Sequence, residues 1–439
     1  MDLPRRFTLL DTTMLCIGGT IGSGIYLKPA AIATLLPSST LVMAVWIAAG
    51  VLTLLGALTY AGLTAARPQH GGLYVILTEA YGPLAGFLFG WSLLALLETG
   101  SIAGLAAGVA QLVSGVWPLG ALERPLAAAL IILLSVANAI SVKGGAWVQN
   151  LFTAVKTAGL AALLTAGLLS HGPSHLSEVG TIPAGLALAS AFGVCMVKAL
   201  WAYDGWINLT FVAGEVRDPE TTLPKALTLG TLVVIAVYLG ANLAYHRVLP
   251  LAQVQGASSV GADVAMTLFG TGAAFAMTLL MMASTFGTLN SSILTGARVY
   301  FAMARARLFF PVVGRVTARS QAPGVALALQ AVWSIMLLGL WGTFDRITDN
   351  VIFIYWIFYA LGAMTVFRSD IRPWGYPWVP LIFVAVSAAL TVNSIAQHPT
   401  DALQAFVLLG SGLLLYPLFQ GRQHENLASG DPLPGNGGS

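Results

Sequence analysis

The sequence is poor in charge. Only 8% of its 439 residues are Asp, Glu, Lys or Arg, against roughly 25% in soluble globular domains. That shortage argues against a soluble enzyme, a nucleic-acid binder and a disordered scaffold. Cysteine is scarcer still. The two present, Cys16 and Cys195, fall inside long apolar stretches, where neither can join an extracellular disulfide. The six histidines, His70, His171, His175, His246, His398 and His424, fall in loops or near the ends of apolar stretches. They read as surface residues and show no metal-ligand spacing, so no metal and no cofactor are expected. What the chain has in quantity is apolar side chains, 57% of the total, and 48 glycines. The expected solvent is the lipid bilayer.

A spanning helix needs about 20 mostly apolar residues. Twelve segments qualify: Leu10–Leu35, Thr40–Ala66, Pro83–Gly115, Pro125–Val142, Trp147–Ser170, Ala184–Ala213, Pro224–His246, Asp263–Ala302, Gly324–Trp341, Ile347–Phe367, Tyr376–Ile395 and Asp401–Gln420. None alternates like a barrel strand, so the expected fold is an all-α membrane protein of twelve transmembrane helices. The first span follows Met1–Leu9 directly and is too long for the apolar core of a signal peptide. Residues 421–439 read as a disordered tail, in part a cloning remnant.

Basic residues set the orientation. With the N-terminus inside, Arg5, Arg6, Arg67, Lys143, Arg217, Lys225, Arg305, Arg307, Arg315, Arg319, Arg368, Arg372 and Arg422 are cytoplasmic. Only Arg124, Arg247 and Arg346 lie on the other side. Both termini are therefore expected in the cytoplasm. Lys28, Lys156, Lys198 and Arg298 fall within spans.

Two spans look interrupted. The first contains Gly18-Gly19-Thr20-Ile21-Gly22-Ser23-Gly24, and glycine costs about 1 kcal/mol relative to alanine in a helix interior. Close helix packing through small residues is the competing explanation. The sixth runs about thirty residues, too long for a straight crossing, and holds Trp201-Ala202-Tyr203-Asp204-Gly205-Trp206. Matching interruptions five spans apart point to a transporter site between inverted repeats. The expected architecture is residues 1–9 as a cytoplasmic N-terminus, 10–170 and 184–367 as two five-span repeats, and 376–420 as two added spans.

Such breaks suit an amino acid. The half-helix beginning near Ser23, Gly24 and Ile25 offers free N–H groups and a positive dipole end to a carboxylate. Carbonyls left free near Ile17 to Thr20, and around Trp201, Ala202 and Asp204, can accept from an ammonium. Gly22 and Gly24 let a ligand approach the backbone. A dinucleotide loop is set aside, because Gly18 to Gly24 follows no strand.

These residues resemble a family. Gly22-Ser23-Gly24-Ile25, Trp201 to Trp206, Gly214-Glu215-Val216-Arg217-Asp218-Pro219 with Leu223-Pro224, and Phe286 to Ser292 through Ala297-Arg298 are similar to the amino acid–polyamine–organocation transporters, nearest to an L-type bacterial permease. The resemblance implies carboxylate binding at Ser23 and Gly24, ammonium binding by carbonyls of Thr20, Trp201 and Asp204, and gating by the Trp201 ring. It implies that Lys156 takes a cation's place between spans one and eight, as in sodium-independent members. Lys156 also stands out as an ionisable residue deep in a span, which is a functional candidate by default, with snorkelling as the alternative.

Asp204, Glu98 and Lys198 depart from the pattern. Asp204 either favours a cationic substrate, orients the ammonium, or caps a half-helix. Glu98 and Lys198 are costly unpaired and are expected to pair with each other. Lys28 and Arg298 are expected to face loops or water-filled vestibules. Relatives with an accessory subunit use a cysteine between spans three and four; Val116–Arg124 contains none, so no disulfide-linked partner and no nucleic acid are expected. The expected function is sodium-independent exchange of small neutral L-amino acids in a bacterial plasma membrane. Proton symport, a cationic substrate and, from another class, a channel are the alternatives.

Overall fold

The computed structural model describes residues 3–317, 320–341 and 352–420. The expectations for Arg319, Arg346, Arg422, the start of the tenth segment and the tail 421–439 lie outside the described residues. Among the described residues every regular element is helical. Ten helical stretches are long and apolar enough to cross a membrane, and Val260–Phe269, Gly324–Leu340 and Ile354–Arg368 are shorter apolar helices. The chain is thus an integral membrane protein built from helices.

The first segment is two helices, α1 (Leu9–Thr20) and α2 (Gly24–Leu35). Thr8 and Asp11 open α1 with reciprocal side chain-to-backbone bonds, a capping box. Then come α3 (Ser39–Ala66), α4 (Leu73–Tyr81), α5 (Pro83–Ser92), a π-helical turn at Leu93–Leu97, α6 (Glu98–Val116), α7 (Glu123–Ile140) and α8 (Val142–Leu168). The sixth segment is α9 (Gly185–Tyr203) and the short α10 (Asn208–Phe211). The remainder is α11 (Pro219–Val248), α12 (Leu251–Gly256), α13 (Val260–Phe269), α14 (Thr271–Arg305), α15 (Gly324–Trp341), α16 (Ile352–Met364), α17 (Trp378–Gln397) and α18 (Pro399–Leu415). The eighth segment is not the continuous Asp263–Ala302 expected. Gly270, at φ 80°, turns the chain between α13 and α14, a conformation glycine adopts without a Cβ clash.

The helices wrap a polar-lined centre. α1, α11 and α14 carry long buried faces, whereas Ile132, Leu133, Val136 and Ile140 of α7 are outward apolar side chains suited to lipid. Connecting segments are held by two separate sets of contacts. In one, Ser38 bridges to Val179, Arg247 donates to the carbonyls of Ser170 and Gly172, and Leu251 N–H donates to Glu178 at 2.6 Å. That N–H, followed by the His175 ring, holds the Glu178 carboxyl below the usual carboxylate range. In the other, Phe7 bridges to Val216, Arg6 and Phe7 donate their N–H groups to Glu215 O, and Arg6 reaches the Gln321 side chain.

Arg298 does not face a vestibule. It is fully buried in α14 and grips Glu215, also fully buried, through Nε at 2.8 Å and Nη2 at 3.2 Å. The planar guanidinium matches both carboxylate oxygens. His246 likewise corrects the surface reading, being 0% exposed. Removing one partner of a buried pair leaves an uncompensated charge and costs about 3–5 kcal/mol. Glu215→Ala is therefore expected to lower the unfolding midpoint of detergent-purified protein sharply. The double change Glu215→Leu with Arg298→Met should recover most of that loss; equal loss in both variants would show that the pair is not the cause.

Candidate functional site

The first break is narrower than the glycine run. The helix persists through Gly18, Gly19 and Thr20, and only Ile21, Gly22 and Ser23 leave it. Gly18 and Gly24 are both packed too closely for a Cβ. A Cβ on Gly18 would stand 2.0 Å from the Gln149 amide and 2.1 Å from the Thr153 hydroxyl, so that glycine serves close packing. A Cβ on Gly24 would stand 2.6 Å from that of Ala202 and 3.2 Å from the Trp201 ring. The second break runs from Asp204 to Ile207. Gly205 sits there at φ 112°, where a Cβ would lie 2.5 Å from Gly19 O. The two breaks therefore touch, backbone against backbone.

Freed carbonyls at this depth need donors. The Tyr238 hydroxyl of α11 stands 2.9 Å from both Thr20 O and Ala202 O and ties the breaks together. The Lys156 ammonium of α8, fully buried, donates to Gly18 O at 2.6 Å and to Ile21 O, with Thr288 Oγ1 at 3.2 Å and Ser284 O at 3.4 Å sharing its third proton. It does not snorkel; it occupies the space between α1 and α14. Thr288 Oγ1 itself stands 2.9 Å from Ile21 O. The carbonyls expected to greet an ammonium are thus partly engaged: Thr20 O by Tyr238, and Trp201 O by the Asp204 N–H at 3.3 Å. Each retains a second lone pair.

On the other side of the break lies a cavity of about 50 Å³. Thr20, Gly22, Ser23, Gly24, Trp201, Ala202 and Asp204 line it, with Glu98, Asn208, Thr288, Ser292 and Tyr355 among the other lining residues. Ile25 and Lys156 do not line it. Ser23 precedes α2, and its hydroxyl is buried without a hydrogen-bond partner. The first N–H groups of α2 have no partner within the helix. Unmet donors and a helix N-terminus together form an acceptor site for an anion. The Trp201 ring is half-buried, with the Lys28 ammonium 4.9 Å above its centre. Lys28 is itself buried rather than facing open water.

Glu98 does not pair with Lys198. Its carboxylate accepts from Tyr355 Oη at 3.2 Å and from Asn208 Nδ2 at 3.4 Å, and it is 1% exposed. Lys198 is half-buried on α9 and does not line the cavity. The π-helical turn immediately before Glu98 is the kind of local widening that re-aims side chains at functional sites. Asp204 accepts from Tyr359 Oη at 3.0 Å. Tyr355 and Tyr359 are one helical turn apart on α16, so one helix face supplies a hydroxyl to each acid. Among the described residues no three His, Cys, Asp or Glu side chains group as a metal site.

Tyr238, Tyr355, Tyr359 and Thr288 were not singled out from sequence. The i, i+4 spacing of Tyr355 and Tyr359 was a visible signal. Tyr238 offered none, because one tyrosine in an apolar helix has no periodicity to mark it.

Two helix breaks packed close together around a polar cavity are the arrangement of a membrane transport site. Residues 7–415 match the amino acid permease family, and the chain belongs to it. It is 29% identical to the Serine/threonine exchanger SteT of Bacillus subtilis (strain 168), over 95% of this chain and 97% of that one. It is 28% identical to the b(0,+)-type amino acid transporter 1 of Mus musculus, over 95% and 88% of the two chains. It is also 28% identical to the mouse Large neutral amino acids transporter small subunit 2, over 96% and 82%. The chain is an amino acid transporter of the membrane.

Gly205→Ala tests the contact between the breaks. Its Cβ has no room and its φ is unfavourable; overpacking costs about 1–3 kcal/mol, and transport should fall about tenfold or more with it. Gly115→Ala, where nothing lies within 4 Å, is the control and should transport normally in proteoliposomes.

Proposed function

We propose that this protein is a sodium-independent exchanger of small neutral L-amino acids, working by alternating access around its two breaks. In this reading twelve spans cross the membrane, 10–170 and 184–367 are inverted repeats, and 376–420 adds two spans. Both termini lie in the cytoplasm, in the plasma membrane of a bacterium, and the chain acts without a disulfide-linked subunit. The substrate carboxylate binds Ser23 and the N–H groups of Gly24 and Ile25. Its ammonium meets the carbonyls of Thr20, Trp201 and Asp204. Trp201 closes over it.

The observation that carries the sodium-independent reading is Lys156. Its ammonium fills the place between α1 and α14 with carbonyl and hydroxyl oxygens around it. Those are the ligands a hard cation takes, so a fixed positive charge there leaves no site for a mobile one. The cavity of about 50 Å³ supports a small side chain such as that of alanine, serine or threonine. A second reading, a cationic substrate, is supported by Glu98 and Asp204, because two acids and no Lys or Arg line the cavity.

Counterflow in proteoliposomes tests the main reading. Vesicles loaded with L-serine should take up labelled L-serine well above empty vesicles, equally in sodium and potassium buffers. Equal uptake by empty vesicles would sink exchange, and inhibition by arginine but not by alanine would favour the cationic reading. Lys156→Ala removes several charge-assisted bonds, each worth about 1.5–3 kcal/mol. Counterflow should drop by about tenfold or more.

A further inference from the structure

The acids of the cavity are not equivalent. Asp204 belongs to the break itself, where an ammonium bound to the neighbouring carbonyls lies beside it. Glu98 belongs to α6, across the cavity, and a bound neutral amino acid brings no second cation to it. The titratable groups that face Glu98 are Asp204, Tyr300, Tyr355 and Tyr359. Asn208, Ser292 and Gln330 complete its surroundings. None of these groups is basic. The nearby cations are already committed: Lys156 to carbonyls of α1, Arg298 to Glu215.

The hydrogen-bond partners around Glu98 suit two charge states. Asn208 and Tyr355 donate to a carboxylate. Gln330, fully buried, donates its amide to Ile293 O at 3.1 Å and leaves Oε1 without a partner. That orphan oxygen and Glu98 Cγ crowd the same face of Gly296; a Cβ there would lie 2.6 Å from each. A buried acceptor without a donor is costly. A protonated carboxyl has an O–H to give, and a carboxylate does not. A set holding donors for the ionised acid and an acceptor for the neutral one is what a titrating group requires.

We propose that Glu98 is a proton-binding site, and that a proton is carried on it together with each neutral amino acid. The proposal rests on the transport reading above. The proton enters and leaves through the cavity that Glu98 lines. In one-for-one exchange the two proton movements cancel, so the proton is an obligatory co-ligand rather than a net driving ion.

The experiment is counterflow of labelled L-serine with both sides of the vesicle at the same pH, from about pH 5 to about pH 9. The rate should fall above a single midpoint by about tenfold per pH unit, as for loss of one proton. Glu98→Gln, a permanently neutral carboxamide, should flatten that profile. Tyr355→Phe removes a donor to the ionised form and Gln330→Leu removes the acceptor for the neutral form. Their midpoints should move in opposite directions along the pH axis, which a merely structural role would not produce. These two variants decide the matter where Glu98→Gln fails to fold. A flat wild-type profile, an unchanged midpoint in Glu98→Gln, or loss of the midpoint in Asp204→Asn alone would overturn the proposal and leave exchange standing. Absence of counterflow for all twenty amino acids would overturn the transport reading and this one with it.

Discussion

The structure depends on the cost of opening a helix where there is no water. Each residue released from a helix in the bilayer interior frees an N–H and a C=O that must find partners within the protein. Ile21 to Ser23 and Asp204 to Ile207 free such groups side by side. Much of the surrounding architecture meets that demand: Tyr238 from α11, Lys156 from α8, and Ser284 and Thr288 from α14 all donate to carbonyls of the first break or to its partner. On the cavity side the Ser23 hydroxyl is buried without a partner.

Charge is distributed by the same logic. The buried cations are surrounded by oxygens: Lys156 by carbonyls and a hydroxyl, Arg298 by the Glu215 carboxylate and the Leu294 carbonyl. The acids that line the cavity, buried Glu98 and half-buried Asp204, are held by neutral donors instead, Tyr355 and Asn208 for Glu98 and Tyr359 for Asp204. Hydroxyls and amides orient a carboxylate without cancelling its charge. Asp204 therefore gives the cavity wall negative character at the end of α9, while the positive end of α2 faces it from the other side. In the proposed reading, a zwitterion between them meets opposite fields at its two ends.

Much of this was legible in the sequence because scarcity made it so. In a chain this apolar, a lysine or an acid in mid-span is conspicuous; of the four residues marked on that ground, Lys156, Asp204 and Glu98 stand at or against the break, and Lys198 does not line the cavity. The glycine run marked the first break, yet its limits were not readable. Gly18 and Gly24 look alike in sequence, and both prove closely packed, Gly18 against Gln149 and Thr153 and Gly24 against Ala202, while Gly24 also lines the cavity. The pairing of Glu98 with Lys198 failed for a geometric reason: opposite charges in the third and sixth spans need not face each other, and the Tyr355 hydroxyl and Asn208 amide satisfied Glu98 instead. Arg298 failed similarly, because its partner Glu215 lies 83 residues away in sequence. Tyrosines were invisible as site residues, since an aromatic ring in a span reads as apolar until its hydroxyl is seen to reach a carbonyl or an acid.

For the proposed rocking motion, the geometry divides the cavity wall into two groups. The breaks move together, because Gly19 and Gly205 leave no gap between their backbones and Tyr238 bonds to both. Asn208 and Asp204 travel with them, while Glu98 and the tyrosines of α16 belong to separate helices. The hydrogen bonds Asn208–Glu98 and Tyr359–Asp204 therefore cross the division. At 3.4 and 3.0 Å they are ordinary bonds between uncharged donors and acids, weak enough to be exchanged for bonds to a substrate or to water. The buried ion pair of Arg298 with Glu215 crosses from α14 to the segment after α10, and is the stronger tie. Any opening at that end must separate it or carry both partners as one body.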